Sequence, residues 1–313
     1  MNSRLQSLID RGYSEEEVLS LASYTTEDMN YACNNAFRHI SRNCKPVTNP
    51  CSVFIGGQPG SGKSVLSFEI KEHEKNALQI GIDNYRMYHP NYLEIEKCIN
   101  RHWKNRKETI NDSPGNDIAD FTHAFAGAMT DKLIEMGSKN SYNLILEWGM
   151  RTPEVPLKTM SDLKNKGYKN TVIFVAIHKD ISYEACLIRT NSYNGNHIMR
   201  KVPKSFHDLS VATLPDSINT IYKEGFANNV ITDLVILNRK NEIVWSTKSS
   251  KLPGLVYNEF LNNSIYSKGI ENSEILPKKT TEEELKGLYS LRDELQSVYI
   301  VNPNLEALSY KTK

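Results

Sequence analysis

A glycine-rich segment near residue 60 carries the clearest chemical pattern in this sequence. It matches G-x-x-x-x-G-K-[ST] through the residues Gly57, Gln58, Pro59, Gly60, Ser61, Gly62, Lys63 and Ser64. Glycines let a tight loop bring backbone N–H groups onto an anion, because no side chain blocks the approach. The lysine adds a charge for the β- and γ-phosphates of a nucleotide, and the serine hydroxyl can ligate magnesium. The segment predicts a site for ATP and Mg²⁺, with Ser64 as the metal ligand.

Two carboxylates follow predicted strands. Asp83 comes at the end of the run Leu78–Ile82, and Glu147 directly follows Tyr142–Leu146. In α/β sheets, ligands bind outside the carboxyl ends of the strands, so both acids are expected at one edge. Asp83 could be the base for an acceptor hydroxyl or could cap the following turn, and the sequence favours neither. Glu147 could organise magnesium-bound water, hold the acceptor or pair with Arg151.

Two arginines, Arg189 and Arg200, flank a polar loop at 190–199. Phosphoryl transfer spreads negative charge over the equatorial oxygens of the moving group, and cations brought in by such a loop would stabilise it. Solvent-exposed arginines without a special role are common, however, so the residue types alone favour that plainer interpretation.

Strand and helix patterns alternate through the middle of the chain. Short runs rich in Val, Ile and Leu predict strands at Ser52–Gly56, Leu78–Ile82, Tyr142–Leu146, Thr171–His178 and Asp233–Asn238. Amphipathic stretches predict helices at Lys63–His73, Ile118–Met136, Val155–Lys166 and Lys204–Lys223, the last three ending at or near Gly137, Gly167 and Gly225. The pattern predicts the α/β class: a P-loop NTPase-like parallel sheet covered by helices on both faces.

Changes in the pattern of apolar and polar residues divide the chain into three parts. Residues 1–45 are predicted to form a helical N-terminal arm, 46–250 the P-loop kinase core, and 251–313 a C-terminal extension with a helix at about 281–298.

Composition bounds the class of protein. The 313 residues are 39% hydrophobic and carry a net charge of +1, which excludes a disordered chain and argues against a broad nucleic-acid or membrane-surface footprint. Five cysteines without a C-x-x-C pair are typical of free thiols in a reducing compartment. Because the N-terminus has no apolar signal-peptide core, we expect a soluble, cytoplasmic protein.

Several ordered motifs together resemble the zeta-toxin family, the ATP-dependent kinases of toxin–antitoxin systems. The similarity covers roughly residues 50–245 and runs through the segments 56–64, 82–92, 147–156 and 166–168, then Ser182-Tyr183, Arg189, 200–204, His207-Asp208 and Asn238-Arg239.

The resemblance implies a small-molecule kinase that phosphorylates the 3′-hydroxyl of the amino sugar in UDP-N-acetylglucosamine, which interferes with cell-wall precursor synthesis. It implies that Asp83 is the base, Lys63 the phosphate-binding lysine, and Arg189 and Arg200 the transition-state cations. It places at the acceptor side Arg86, Glu147 and Thr152, with Arg151 grouped beside them. It also implies a small helical antitoxin that covers the nucleotide site.

Two other functions remain open at this stage. A kinase of the same fold could act on another acceptor, such as a nicotinamide dinucleotide, another nucleotide or an antibiotic. A non-enzymatic nucleotide-binding switch would bind ATP without forming a phosphorylated product.

Overall fold

A computed structural model describes residues 2–107, 113–191 and 201–262 of the chain. The strands are β1 (Cys51–Gly56), β2 (Ala77–Gly81), β3 (Asn143–Glu147), β4 (Lys169–Val175), β5 (Asp233–Leu237) and β6 (Ile243–Ser246). The helices are α1 (Ser3–Asp10), α2 (Glu15–Ala22), α3 (Thr26–Ser41), α4 (Lys63–His73), α5 (Tyr92–Trp103), α6 (Pro114–Lys139), α7 (Glu154–Asn165), α8 (Lys179–Asn191), α9 (Lys204–Ala227) and α10 (Pro253–Asn262). A 3-10 helix, Ile82–Tyr88, follows β2.

The six strands of the described residues form one sheet in the order β2-β3-β1-β4-β5-β6. The first five pair in parallel, and β6 pairs antiparallel with β5. The predicted parallel α/β sheet is therefore confirmed, with one addition at its edge. The sequence did not predict β6, because this strand has only four residues and buries only Trp245 among them.

Helices cover both faces of the sheet. Leu66 of α4 packs in a cluster with Ile145 of β3 and with residues of the other parallel strands. The neighbouring Leu144 points to the opposite face, since side chains alternate along a strand. There it meets α6, where a Cβ added to Gly137 would lie 2.9 Å from Leu144 Cδ2. Coverage on both faces explains why the strands read as near-continuous apolar runs.

The strand order places the glycine-rich segment at the centre of the sheet. β1 lies between β3 and β4, and the chain leaves β1 toward one side before it returns to the other. Such a change of direction opens a crevice at the carboxyl ends of the strands. The loops after β1, β2 and β3 therefore lie along one edge.

The N-terminal helices pack against α5 and α6. Their shared cluster includes Leu8, Val18, Ile99 and Phe121, which are all buried. The Tyr13 hydroxyl donates to the buried Asp117 carboxylate of α6 at 2.6 Å. The predicted helical arm thus forms a layer packed on α5 and α6. The predicted domain boundary at residue 45 remains a prediction.

Two predicted helix ends are wrong for the same physical reason. α6 continues past Gly137 to Lys139, and α9 continues past Gly225 to Ala227. A Cβ on Gly225 would lie 2.8 Å from Ile231 Cδ1, much as one on Gly137 would press on the sheet. These glycines permit close packing and do not terminate their helices. Gly167 does follow its helix with a φ of +86°, as predicted.

Helix α10 was not predicted, because the sequence after residue 250 has little periodic pattern. The predicted helix at 281–298 lies outside the described residues. None of the described helices combines the length and apolar character needed to cross a membrane.

Candidate active site

The glycine-rich segment forms the loop between β1 and α4. Gly57, Gly60 and Gly62 have φ angles of +145°, +76° and +102°, which residues with side chains rarely adopt. A Cβ on Gly60 would lie only 1.9 Å from the carbonyl oxygen of Ser182 in α8. Helix α4 begins at Lys63, so the positive end of its dipole adjoins the loop. This strand, loop and helix have the arrangement that a phosphate-binding loop requires.

The Lys63 side chain folds back over the loop. Its Nζ donates to the carbonyl oxygens of Gly57 and Gln58, both at 2.9 Å. The Lys63 ammonium group donates to these two neutral carbonyls, and a bound phosphate would give it a negatively charged acceptor in their place. The role of Lys63 in binding the terminal phosphates of a nucleotide remains a prediction.

A carboxylate lies directly beside the predicted metal ligand. Ser64 Oγ donates to Glu147 Oε1 at 2.8 Å. The sheet register explains this contact, because Glu147 at the end of β3 pairs with Ile55, just before the loop. A hydroxyl and a carboxylate are hard oxygen ligands, and Mg²⁺ in nucleotide sites is commonly held by one or two protein oxygens plus phosphates. The pair fits that ion and favours the magnesium interpretation of Glu147.

Arg151 packs against helix α9. Its guanidinium stands over the ring of Phe206 in α9, 4.5 Å from the centroid. Ser217 of α9 donates to the Met150 carbonyl oxygen at 2.6 Å and so holds the same loop. Thr152 is exposed in this loop. The roles of Arg151 and Thr152 in acceptor binding remain predictions.

Asp83 lies in the 3-10 helix just after β2. The register pairs Gly81 of β2 with Glu147 of β3, so Asp83 follows at the same edge of the sheet. Its side chain is 68% exposed, and its Oδ1 accepts from Arg86 Nε at 2.8 Å. A carboxylate that is exposed and held by a cation can meet an incoming hydroxyl. Its role as the base remains a prediction.

Arg86 is mostly buried between the 3-10 helix and α6. Besides Asp83, its guanidinium donates to the Ala119 carbonyl oxygen at 2.9 Å and to Thr122 Oγ1 at 3.3 Å. The side chain thus fixes the Asp83 carboxylate to the body of α6. These contacts point to a supporting role for Arg86, whereas its predicted contact with the acceptor remains untested.

The two predicted transition-state arginines are only partly placed. The backbone of Arg189 belongs to the last turn of α8, whose first turn touches the phosphate-binding loop. Its side chain and the whole of Arg200 lie outside the described residues. Their roles remain predictions.

Two contacts beside the loop were not predicted from the sequence, although Arg239 itself belongs to the motifs that carry the resemblance. Arg239 Nη2 donates to the Gly60 carbonyl oxygen at 3.4 Å, and burial lowers the pKa of this arginine. Its position after β5, at the carboxyl edge of the sheet, was a usable signal. The Gln58 side chain is fully buried and accepts a hydrogen bond from Tyr257 of α10. Nothing in the sequence pattern indicated that contact. The part of Gln58 in ATP binding remains a prediction.

Comparison with known proteins gives a consistent result. The chain is 31% identical to toxin PezT of Streptococcus pneumoniae serotype 4 over 74% of its own length and 85% of that protein. It is 26% identical to toxin zeta of Streptococcus pyogenes over 93% of its length and 86% of that protein. A solved chain from the PezAT chromosomal toxin–antitoxin system of Streptococcus pneumoniae matches with a TM-score of 0.64 and 25% identity, over 88% of this chain and 98% of that one.

Family membership follows from the extent of these matches. Together with the P-loop fold, they support a phosphotransferase of the toxin class. The family model described as Zeta toxin matches residues 34–250, which is more than half of the chain and includes every described residue of the candidate site except Tyr257. The chain belongs to the zeta-toxin family.

Proposed function

We propose that this protein is an ATP- and Mg²⁺-dependent kinase that phosphorylates the 3′-hydroxyl of the amino sugar in UDP-N-acetylglucosamine. The observation that carries the proposal is the contact between Ser64 and Glu147 at the mouth of the glycine-rich loop. It joins the predicted metal ligand to a carboxylate on the adjacent strand. Phosphate, metal and acceptor chemistry would then share one edge of the sheet.

The loop and Lys63 would hold the triphosphate. Backbone N–H groups and the start of α4 supply partial positive charge, and the ammonium would leave the two carbonyls for the β- and γ-phosphates. Ser64 and Glu147 would hold Mg²⁺, directly or through its water. The bound ion neutralises charge on the phosphates and orients them for in-line transfer.

Asp83 would accept the proton of the sugar hydroxyl. As that proton moves to the carboxylate, the oxygen bonds to the γ-phosphorus, the bond to the bridging oxygen breaks, and ADP leaves. Arg86 would orient the Asp83 carboxylate through the bond at 2.8 Å. Arg189 and Arg200 would supply the cations that stabilise charge on the moving group.

The acceptor would enter past the loop that follows β3. Glu147, Arg151 and Thr152 lie at its start, and Arg151 carries a charge suited to a diphosphate linkage. We further propose that a small helical antitoxin covers the nucleotide site and that the pair acts in the cytoplasm. The support is the PezAT relative, described as a toxin–antitoxin system.

Incubation of the protein with Mg-ATP and a metabolite extract, read by mass spectrometry, tests the acceptor. We expect one phosphate to be gained by UDP-N-acetylglucosamine. Asp83→Asn should abolish this product while ATP binding remains within about twofold of wild type, because the change removes a base and leaves the loop intact.

Other outcomes would correct the proposal. Labelling of a dinucleotide, another nucleotide or an antibiotic, with UDP-N-acetylglucosamine unchanged, would assign a different acceptor. ATP binding without any phosphorylated species would indicate a switch. Full turnover by Asp83→Asn would remove Asp83 from the mechanism.

A further inference from the structure

Tyr257 of α10 reaches the underside of the phosphate-binding loop. Its side chain is fully buried. The hydroxyl donates to Gln58 Oε1 and accepts from the Gln58 backbone N–H at 3.3 Å. The Val175 carbonyl oxygen, at the end of β4, lies 3.2 Å away. One hydroxyl therefore contacts both the backbone and the side chain of the second residue of the loop.

The other end of the Gln58 amide is also held. Its Nε2 donates to the Ile177 carbonyl oxygen at 2.8 Å and lies 3.4 Å from Ser182 Oγ. Ser182 Oγ in turn lies 2.8 Å from Nε2 of the buried His207 in α9. A buried polar network of this kind fixes its members, because each broken bond would leave a desolvated polar group.

The contact with the backbone N–H sets the direction of a peptide plane. In a trans peptide the N–H and the preceding C=O point opposite ways. The Gln58 N–H points to Tyr257, so the Gly57 carbonyl points away from it, and that carbonyl accepts from Lys63 Nζ at 2.9 Å. The tyrosine hydroxyl thus orients, across one peptide, the group that places the phosphate-binding lysine.

Helix α10 is firmly docked where it delivers this hydroxyl. A Cβ on Gly254 would lie 2.1 Å from the Pro215 carbonyl oxygen of α9, so only glycine allows the approach. The Gly254 N–H donates to Asn219 Oδ1 at 2.9 Å. Trp245 of β6 donates to the Lys251 carbonyl oxygen at 2.8 Å and holds the entry to the helix. Tyr257 lies beyond residue 250, where the match to the family model ends.

We propose that Tyr257 is a positioning residue for the nucleotide site, acting through Gln58 on the phosphate-binding loop and on Lys63. The inference rests on the proposed function in one respect, that this loop binds ATP. It assigns to a segment outside the family match a part in building the site.

Tyr257→Phe tests the proposal because it removes only the hydroxyl. The matched control is Tyr168→Phe. Tyr168 is also buried, and its hydroxyl donates to the Tyr142 carbonyl oxygen at 2.6 Å, at the amino-terminal end of β4 and away from the loop. We expect Tyr257→Phe to raise the Kd for Mg-ATP about fivefold, the effect of one neutral hydrogen bond. Tyr168→Phe should lower Tm about as much as Tyr257→Phe does, because each variant loses one buried hydroxyl, but it should leave the Kd for Mg-ATP within about twofold of wild type.

Calorimetry with a non-hydrolysable ATP analogue gives the Kd, and steady-state kinetics should show a larger KM for ATP with the acceptor KM unchanged. Gln58→Met provides a second variant, in which the further change Tyr257→Phe should have less effect on the Kd. Wild-type affinity in Tyr257→Phe, or equal weakening in Tyr168→Phe, would overturn the proposal. If wild type binds ATP but leaves UDP-N-acetylglucosamine unmodified, only the proposed acceptor fails. If wild type does not bind ATP, both proposals fail.

Discussion

At Gly60 the loop leaves no room for a side chain beside α8, and Gly60→Ala gives the sharpest test of the site's geometry. The backbone φ there is +76°, and an added Cβ would lie 1.9 Å from the Ser182 carbonyl oxygen. The obstacle is backbone at the start of a helix, so no side-chain rotation can relieve it. The substitution therefore combines backbone strain with a steric clash.

Two other glycines separate these effects. Gly167 has a φ of +86° with nothing within 4 Å of an added Cβ, so Gly167→Ala reports the backbone strain alone. Gly149 has open space and no positive φ. The left-handed conformation costs about 1–2 kcal/mol for a residue with a side chain. Forced overpacking typically adds about 1–3 kcal/mol.

These energies translate into melting temperatures. At about 2–4 °C per kcal/mol for a chain of this class, Gly167→Ala should lower Tm by roughly 2–8 °C and Gly60→Ala by roughly 4–20 °C. Gly149→Ala should be neutral or slightly stabilising, because alanine restricts the unfolded chain. If the loop shifts to avoid the clash, part of the cost will appear as weaker ATP binding and not as a lower Tm.

The assay is thermal unfolding of the three variants together with the Kd for Mg-ATP of Gly60→Ala. The expected result is a Gly60→Ala variant that is less stable than Gly167→Ala, or one that binds ATP at least tenfold more weakly than wild type. A Gly60→Ala variant with the Tm of Gly167→Ala and wild-type ATP affinity would refute the placement of α8 against the loop.

Three further perturbations probe other parts of the site and core. Arg86→Lys should lower kcat about tenfold with the ATP Kd unchanged, because a lysine cannot serve Asp83 and the α6 carbonyl with one planar group; an unchanged kcat in steady-state assays would argue against the supporting role. Ser64→Ala should raise the Mg²⁺ concentration needed for nucleotide binding about tenfold, while the exposed neighbour variant Val65→Ala should not; equal Mg²⁺ titrations of both would contradict the metal assignment. Burial lowers the pKa of His89 from 6.5 to about 4, although the Ala22 carbonyl and Asp28 oppose the shift. Between the unfolded pKa of 6.5 and the folded pKa of about 4, the unfolded chain binds a proton that the folded chain does not. The free energy of unfolding therefore falls as the pH drops, by roughly 2 kcal/mol at pH 5. Denaturant unfolding at pH 7 and pH 5 should show a smaller loss for His89→Phe than for wild type, and equal losses would contradict the shift.

The fold class could be predicted because its signals are local. Strands buried on both faces read as short apolar runs, and the phosphate-binding loop needs glycines at fixed spacing before a lysine and a serine. The helix after the loop was predicted at its observed bounds, Lys63–His73. β6 escaped prediction because it has only four residues and one buried side chain, and α10 because the sequence after residue 250 has little periodic pattern.

The sequence by itself determined which chemical groups are available: a glycine-rich loop, a lysine, a serine and acids after two strands. Only the tertiary structure decided how these groups combine, because the distances between them depend on strand order and register. The pairing of Ile55 with Glu147 brings the carboxylate to Ser64 at 2.8 Å, and the packing of α10 brings Tyr257 under Gln58. Likewise, the sequence does not show whether a glycine ends a helix or allows close packing against another element. Gly137 lies within its helix because side chains of the sheet leave no room for a Cβ there. Residue types set what each group can do, whereas contacts across the chain set what it does.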